Sequence, residues 1–210
     1  MEELMSRSVK KSFKRCMDVC GALAGLMLLS PIFFYLIYKI RQDGGSAFYG
    51  HTRLGKNGVP FKCWKFRSMV PNSQEVLDDL LRKDPAARRE WELTYKLKND
   101  PRITKIGHFL RKSSLDEIPQ LFNVLKGEMS LVGPRPIVAD EIKYYNDDIK
   151  YYFSVKPGVT GLWQVSGRSD TSYRKRVKLD NFYVRHYSIL RDIKIMIKTV
   201  FVVLRREGAY

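Results

Sequence analysis

The sequence predicts a helix-rich α/β protein whose N-terminal segment inserts into a membrane. An apolar stretch runs from Val19 to Tyr38, and most of the remaining chain has helical periodicity. Short apolar segments between glycines, around residue 60, indicate a small β element. The composition changes at Gly44, so we divide the chain into a basic membrane segment, residues 1–43, and a compact domain, residues 44–210.

The apolar stretch can follow two paths. Basic residues flank both of its ends, so the positive-inside rule gives no orientation. Ser30-Pro31 interrupts it near the middle, and a proline removes a backbone donor and kinks a helix. A spanning helix and a re-entrant helix–break–helix that enters and leaves on one side both fit. In the second case the Ser30 hydroxyl is expected to help satisfy the freed carbonyls. Near the start of the stretch, we expect Asp18 to pair with Arg15.

Several elements are predicted for the compact domain. One or two short strands are expected within residues 59–69, and Gly133–Pro136 cannot be regular structure. The predicted helices are Ser73–Lys98, divided by Pro85, then Leu115–Lys126, closed by Gly127, and most of Tyr173–Arg206.

The last of these helices carries an apolar stripe with two interpretations. The stripe consists of Leu190, Ile193, Ile197, Val200, Phe201 and Leu204. It can pack on the core, as amphipathic helices of globular proteins do. Basic residues accompany it, so it can also lie on an anionic membrane surface.

Charge and composition narrow the classes of function. Lys and Arg total 38 against 22 Asp and Glu, a formal net charge of +16. Such an excess suits nucleic acid, anionic lipid or phosphate-bearing substrates, and composition alone does not choose among them. The three cysteines form no CxxC pair, which argues against a disulfide framework or a zinc site. The sequence contains no P-loop, GxGxxG or HExxH motif.

The segment Ser113–Pro119 is the first candidate for chemistry. Ser114 followed three residues later by Glu117 has the spacing of a capping box, which is a purely structural interpretation. The same geometry places Asp116 near a positive helix end, where its carboxylate stays ionised and can act as a nucleophile or metal ligand. The spacing alone leaves both interpretations open.

Basic residues near this segment are candidates for binding an anion. Arg111 precedes the acidic pair, and Arg135 follows it between two prolines that stiffen its loop. A rigid guanidinium can hold a phosphate in bidentate fashion, although a solvated arginine in a turn is the plainer interpretation. Gly158–Arg168 forms a second loop, whose glycines permit close backbone approach to a ligand.

Taken together, these residues resemble the monotopic phosphoglycosyl transferases, also called the bacterial sugar transferase family. The resemblance covers nearly the whole chain, and its long central block is very specific. The matching segments are Lys14–Asp18, Ser30-Pro31, Arg53–Gly55, Trp64–Met69, Leu110–Pro136, Lys156–Arg168 and Leu179–Val184.

The resemblance implies an activity and a site. The enzyme would transfer a sugar-1-phosphate from a UDP-sugar to polyprenyl (undecaprenyl) phosphate and release UMP. Asp116 would be the nucleophile and the likeliest ligand of the Mg²⁺ cofactor, and Glu117 its partner in an acidic dyad. Arg111, Arg135 and Arg168 would hold phosphates or the nucleotide, with Arg53 and Lys65 as weaker candidates for the same role.

The resemblance also implies a location. It favours the re-entrant path with the break at Ser30-Pro31, and amphipathic helices at the membrane interface. Residues 44–210 would be a cytoplasmic catalytic domain on the bacterial inner membrane, the minimal unit for the first membrane step of capsule, exopolysaccharide, O-antigen or glycoprotein-glycan synthesis. Inner-membrane lipid is an expected partner and nucleic acid is not, while the sugar and the oligomeric state, a dimer included, stay open. The alternatives are a membrane-tethered nucleic-acid-binding protein and an inactive scaffold for glycan assembly.

Overall fold

A computed structural model describes residues 7–95, 97–167 and 172–205 of the chain. The helices in these ranges are α1 (Arg7–Arg41), α2 (Ser73–Lys83), α3 (Pro85–Thr94), α4 (Lys105–Ser113), α5 (Gln120–Lys126), α6 (Ile149–Ser154), α7 (Tyr173–Arg185) and α8 (Ile189–Arg205). The strands are β1 (Phe48–Leu54), β2 (Pro60–Phe66), β3 (Ser130–Val132) and β4 (Gly158–Thr160). The predicted helix-rich α/β class is therefore confirmed.

The strands form two small sheets within the described ranges. β1 and β2 make an antiparallel hairpin in which Phe48 pairs with Phe66 and Leu54 with Pro60. The hairpin closes through a short turn where Asn57 has φ 58° and Gly58 has φ 75°, the left-handed region that asparagine and glycine tolerate best. β3 and β4 lie parallel, with Val132 opposite Thr160.

Helix α1 contributes to the core of the compact domain. Its residues Phe33, Leu36 and Ile40 are buried in one apolar cluster with Phe66 of β2 and Leu110 of α4. Earlier in the helix, buried Ala22 belongs to a second cluster that contains Cys63 and Val124. Between these contacts, the side chains of Met27 and Leu28 are 71% and 81% exposed. Leu26 and Leu29 still pack against the first cluster, so one side of the helix contacts the domain and the other side is exposed.

The predicted break at Ser30-Pro31 does not interrupt α1, which is helical from Arg7 to Arg41 with Pro31 inside it. A proline at this position cannot donate to the carbonyl four residues earlier, that of Met27. The Ser30 hydroxyl donates to that Met27 carbonyl at 2.8 Å. The expected role of Ser30 is thus confirmed, and the re-entrant path stays a prediction.

Charged residues fasten the start of α1 to the domain, with different partners from those we expected. Asp18 accepts from Lys14 Nζ at 3.1 Å, and the same ammonium lies 2.8 Å from Asp192 of α8. Arg15 instead donates to the carbonyls of Val124 and Leu125 at 2.6 and 2.8 Å, which satisfies the last turn of α5. The predicted Asp18–Arg15 pair is wrong because the C-terminus of α5 takes the arginine.

The C-terminal helices resolve one open alternative. The predicted helical region is divided into α7 and α8 by residues 186–188. The stripe on α8 is exposed, with Ile197, Val200 and Phe201 at 54%, 57% and 57%. The interpretation that this stripe packs on the core is therefore wrong, and α8 presents an apolar face outward. Leu204 of this stripe has a side chain outside the described part.

Asn123 on α5 holds that helix against the β-hairpin. Its Oδ1 accepts from the Trp64 amide at 3.0 Å, and its Nδ2 donates to the Lys62 carbonyl at 2.7 Å. The residue is fully buried, so these bonds replace the water that its amide loses on folding. This clamp brings β2 beside the turn that precedes α5.

Candidate active site

Strand β2 carries a lysine to the acidic pair. Lys65 Nζ lies 3.0 Å from Asp116 Oδ2 and 2.7 Å from Glu117 Oε1. The three side chains are mostly buried, with exposed fractions of 27%, 13% and 22% in that order. One ammonium therefore bridges two adjacent carboxylates at the edge of the hairpin.

Asp116 and Glu117 lie in a 3-10 turn, Leu115–Glu117, between α4 and α5. Ser114 ends α4 in the left-handed conformation with φ 57°, and its side chain makes no capping hydrogen bond. The capping box is therefore not formed, and α5 begins later, at Gln120 after Pro119. The closing position of this helix, Gly127 with φ 83°, is as predicted.

The charge state of the pair depends on burial and on neighbouring cations. Burial raises the pKa of the Asp116 carboxyl above its ordinary value, and the negative charge of Glu117 raises it further, against the opposing effects of Lys65 and Arg111. Burial alone would lower the pKa of Lys65, but Glu117 and Asp116 outweigh it and raise that pKa. Side chains, rather than the helix end that we predicted, supply the counter-charge to Asp116.

Arg135 and Arg111 act on the pair, and Arg53 lines a cleft with Glu117. Arg135 Nη1 lies 3.8 Å from Glu117 Oε1, in the irregular segment that we predicted, and its side chain is 40% exposed. Arg111 Nε donates to Ser68 Oγ at 3.0 Å, and its charge acts on Asp116. Arg53 donates to the Pro136 carbonyl at 3.3 Å. Burial lowers the pKa of Arg53, and the positive charge of Arg135 lowers it further.

Several of these groups line one shared cleft. Its walls are Arg53, Cys63, Lys65, Glu117, Gln120, Arg135, Pro136, Val159 and Gln164. The predicted residues Arg53, Lys65, Glu117 and Arg135 therefore meet, with Asp116 bonded to the same lysine. Arg168 lies outside the described residues, and Ser30 and Pro31 lie on α1, away from the cleft lining.

The two glycine-bearing loops pack on each other. The Gly158 amide donates to the Pro134 carbonyl at 2.8 Å. A Cβ on Gly158 would lie 2.1 Å from the Gly133 nitrogen, and one on Gly161 would lie 2.3 Å from the Gly133 oxygen. We predicted that glycines 158 and 161 make room for a ligand. They instead make room for the backbone that carries Arg135.

Sequence reasoning missed four residues at the cleft. Gln120 and Gln164 line it as neutral amides, and buried Cys63 lies two residues before Lys65 on β2. Trp163, 6% exposed, lies beneath Arg135 with 6.0 Å between the guanidinium carbon and the ring centre. The two-residue spacing along a strand could have indicated Cys63, since alternate residues share a face. No local signal indicates the others.

The donor set can be compared with the needs of magnesium. The described residues contain no group of three or more His, Cys, Asp or Glu side chains that could hold a metal. Mg²⁺ commonly takes one or two carboxylates and completes its shell with water and substrate phosphates. The adjacent carboxylates of Asp116 and Glu117 fit such an ion, provided that it arrives with a phosphate.

Comparison with protein families gives one match that covers most of the chain. The model of the family described as "Bacterial sugar transferase" matches residues 9–206.

Curated proteins similar to the chain include enzymes from several bacteria. The chain is 57% identical over 206 residues to an "Undecaprenyl-phosphate galactose phosphotransferase" of Salmonella typhimurium, covering 98% of this chain and 43% of that protein. It is 38% identical to the "UDP-glucose:undecaprenyl-phosphate glucose-1-phosphate transferase" of Escherichia coli, covering 96% and 42%. It is 49% identical to the "Exopolysaccharide production protein ExoY" of Sinorhizobium fredii, covering 94% and 88%. The chain thus spans less than half of the first two relatives and most of the third.

Proposed function

Because the chain belongs to the bacterial sugar transferase family, we propose that it transfers a sugar-1-phosphate from a UDP-sugar to undecaprenyl phosphate and releases UMP. The observation that carries the proposal is the bridge from Lys65 to Asp116 and Glu117, beside a cleft that also contains Arg53 and Arg135. A nucleophilic carboxylate surrounded by cations suits attack on a diphosphate, whose own negative charge must be offset. The names of the relatives supply the substrate class.

The reaction proceeds in two displacements at one phosphorus atom. A carboxylate oxygen of Asp116 attacks the sugar-bearing phosphate, and the bond to the bridging oxygen breaks, so that UMP leaves with the electron pair. A phosphate oxygen of the lipid then attacks the same phosphorus and frees the Asp116 carboxylate. Glu117 assists the second step. Lys65 and Arg135 offset the charge on the phosphate oxygens.

Magnesium is proposed as the cofactor, held by Asp116 with Glu117 as the adjacent oxygen donor. When bound, it would supply charge neutralisation at the diphosphate. The protein's part is to keep both carboxylates together and to place the cationic side chains of Lys65 and Arg135 beside them.

The site is proposed to work at the cytoplasmic face of the bacterial inner membrane, in exopolysaccharide or capsule synthesis. Residues Ser8–Arg41 have the length and mean hydropathy of a membrane helix, and only 17% of their most apolar window is buried in the protein. Ala22 near the start of the apolar stretch and Ile40 near its end are both buried against the same domain, while Met27 and Leu28 on the other side of the helix are exposed. This arrangement supports a monotopic path with both ends on one side. The exposed face of α8 adds a second apolar surface for the interface.

A cysteine placed at Glu3 is expected to react with a membrane-impermeant reagent only after the inner membrane is opened. The exposed Cys16 and Cys20 are first replaced with serine so that they do not react. Pro31→Leu restores the missing backbone donor and should let part of the population span, moving the probe outside. Lys56→Cys on the hairpin turn is the control and stays inside in both backgrounds. Reaction of the original probe from the periplasm would contradict the monotopic path.

Purified protein in detergent is expected to release UMP from at least one UDP-sugar in a panel. Repeated turnover should require undecaprenyl phosphate, and without this acceptor each protein molecule should release at most one UMP. The lipid product should carry a diphosphate and the sugar. Release of UDP in place of UMP would mean plain glycosyl transfer, and no nucleotide release from any donor would refute the proposed function.

A further inference from the structure

Gln164 lines the cleft, and its amide oxygen is a buried acceptor without a partner among the described residues. Its Nε2 donates to the Val159 carbonyl at 3.2 Å. Its Oε1 is buried and finds no hydrogen-bond partner in the part of the chain that the structure describes. A buried polar atom without a partner is destabilising, so such atoms call for a specific explanation.

The orientation of this amide follows from its neighbours. A backbone carbonyl only accepts hydrogen bonds, so the NH₂ group of Gln164 must face Val159 and Oε1 must face away from it. Gly161 leaves space beside the oxygen, because a Cβ there would lie 3.1 Å from Oε1. The side chain is thus held with its acceptor fixed.

The rest of the cleft defines what can bind there. Arg53, Lys65 and Arg135 are donors without acceptor capacity. A ligand that accepts from one of these cations and also donates to Gln164 carries acceptor oxygens, such as those of a phosphate, together with an N–H or O–H donor. A phosphorylated sugar has both properties within a few bonds of each other.

We infer that Gln164 Oε1 accepts a hydrogen bond from a hydroxyl of the transferred sugar, which makes Gln164 a residue that selects the donor substrate. The inference rests on the proposed function and names a further contact in its site. The sugar is favoured over the ribose because Gln164 shares the cleft with Glu117 and Lys65, which flank the nucleophile. The sugar is joined directly to the phosphate under attack, whereas the ribose is joined to the other phosphate.

The test compares one UDP-sugar that the protein uses with its monodeoxy analogues and with the 2′- and 3′-deoxyuridine analogues. In wild type, the analogue that lacks the contacted hydroxyl should lose about 5- to 10-fold in kcat/KM. Gln164→Met, which keeps the length of the side chain, should lose a similar factor with the parent sugar. With that one analogue, Gln164→Met should show no further loss of kcat/KM, because the substitution and the missing hydroxyl remove the same hydrogen bond.

For each variant we compare kcat/KM for the parent sugar with kcat/KM for the analogue. A general loss of folded protein lowers both values equally and leaves their ratio unchanged. Gln164→Glu keeps an acceptor oxygen, so it should retain a preference for the parent sugar. Gln74→Met, an exposed position on α2, is the matched control and should leave every ratio unchanged.

Three results would overturn the inference. If Gln164→Met keeps the wild-type ratio for every sugar analogue, the atom is satisfied by water and the proposed function still stands. If Gln164→Met loses the wild-type preference for the parent only over a deoxyuridine analogue, the contact belongs to the ribose of the nucleoside. Absence of UMP release from any UDP-sugar by wild type would remove the proposed function and this inference together.

Discussion

Replacing Asp116 with asparagine is expected to lower the rate of UMP release by at least about 10³-fold, since an amide is a very poor nucleophile. The substitution keeps the size of the side chain and removes its charge. Lys65 then retains only Glu117 as a close carboxylate, at 2.7 Å, so the cleft should keep its shape. A loss of this size without loss of folding would identify Asp116 as the attacking group.

Trapping the intermediate separates this role from simple binding. Wild type incubated with a UDP-sugar labelled in the sugar, and with no lipid acceptor, should become labelled, and hydroxylamine should remove the label because it cleaves acyl phosphates. Asp116→Asn should remain unlabelled. Asp147→Asn, an exposed aspartate, serves as the matched control and should label normally. Near-wild-type turnover or labelling of Asp116→Asn would refute the covalent mechanism.

Lys65→Met is expected to lower kcat by about 10²- to 10³-fold, in line with the removal of one preorganised charge from a catalytic site. The ammonium contacts both Asp116 and Glu117, at 3.0 and 2.7 Å. Its loss leaves two mostly buried carboxylates side by side, with Arg111 and Arg135 still acting on the pair. The variant therefore affects both the charge of the nucleophile and the cleft that receives the phosphate.

The pH dependence of this variant gives a second readout. Lys65 holds the pKa of Asp116 down against the burial that raises it, so Lys65→Met should raise that pKa further. A carboxyl group with a higher pKa keeps its proton to a higher pH. The acidic limb of the kcat/KM profile should therefore move to higher pH, with partial recovery of activity there. Lys62→Met is the control, because the Lys62 side chain is exposed and its ammonium donates to Thr52 Oγ1 within the hairpin. An unchanged acidic limb would show that Lys65 does not set the charge of Asp116.

Local patterns predicted the helices and turns better than the contacts between them. Pro85 divides the charged helical segment as expected, since a proline suits a first turn and Asp84 caps it. Ser114 shows the limit of such patterns. Its spacing to Glu117 fits a capping box, but α4 continues up to Ser113 and uses Ser114 as its left-handed end. A four-residue motif does not reveal where the preceding helix stops.

The composition of the site depended on long-range packing that no local pattern contains. Asp116 and Glu117 stood out as an acidic pair, while Lys65 lies 51 residues earlier and reaches them through long-range contacts such as the Asn123 clamp between β2 and α5. The resemblance to a family, rather than periodicity, indicated Lys65 and Arg53. Gln164 was missed because its importance lies in which of its two amide atoms finds a partner.

The same limit applies to exposed surfaces. Periodicity located the apolar stripe of α8, and it could not say whether protein covers that stripe. The structure leaves Ile197 and Phe201 more than half exposed, because α8 turns Asp192 and Ile195 toward the domain instead.

If α1 lies in the membrane as proposed, its attachments set the height of the proposed reaction centre above the bilayer. Arg15 donates to carbonyls at the end of α5, and the first turn of α5 follows the acidic pair. Lys14 pairs with Asp192 and so joins the same stretch of α1 to α8. Once α1 is embedded in lipid, any tilt or vertical displacement of this helix must carry Asp116 with it. A lipid-borne phosphate sits at a depth dictated by the bilayer, so membrane thickness becomes a variable that tunes how closely the two reactants meet.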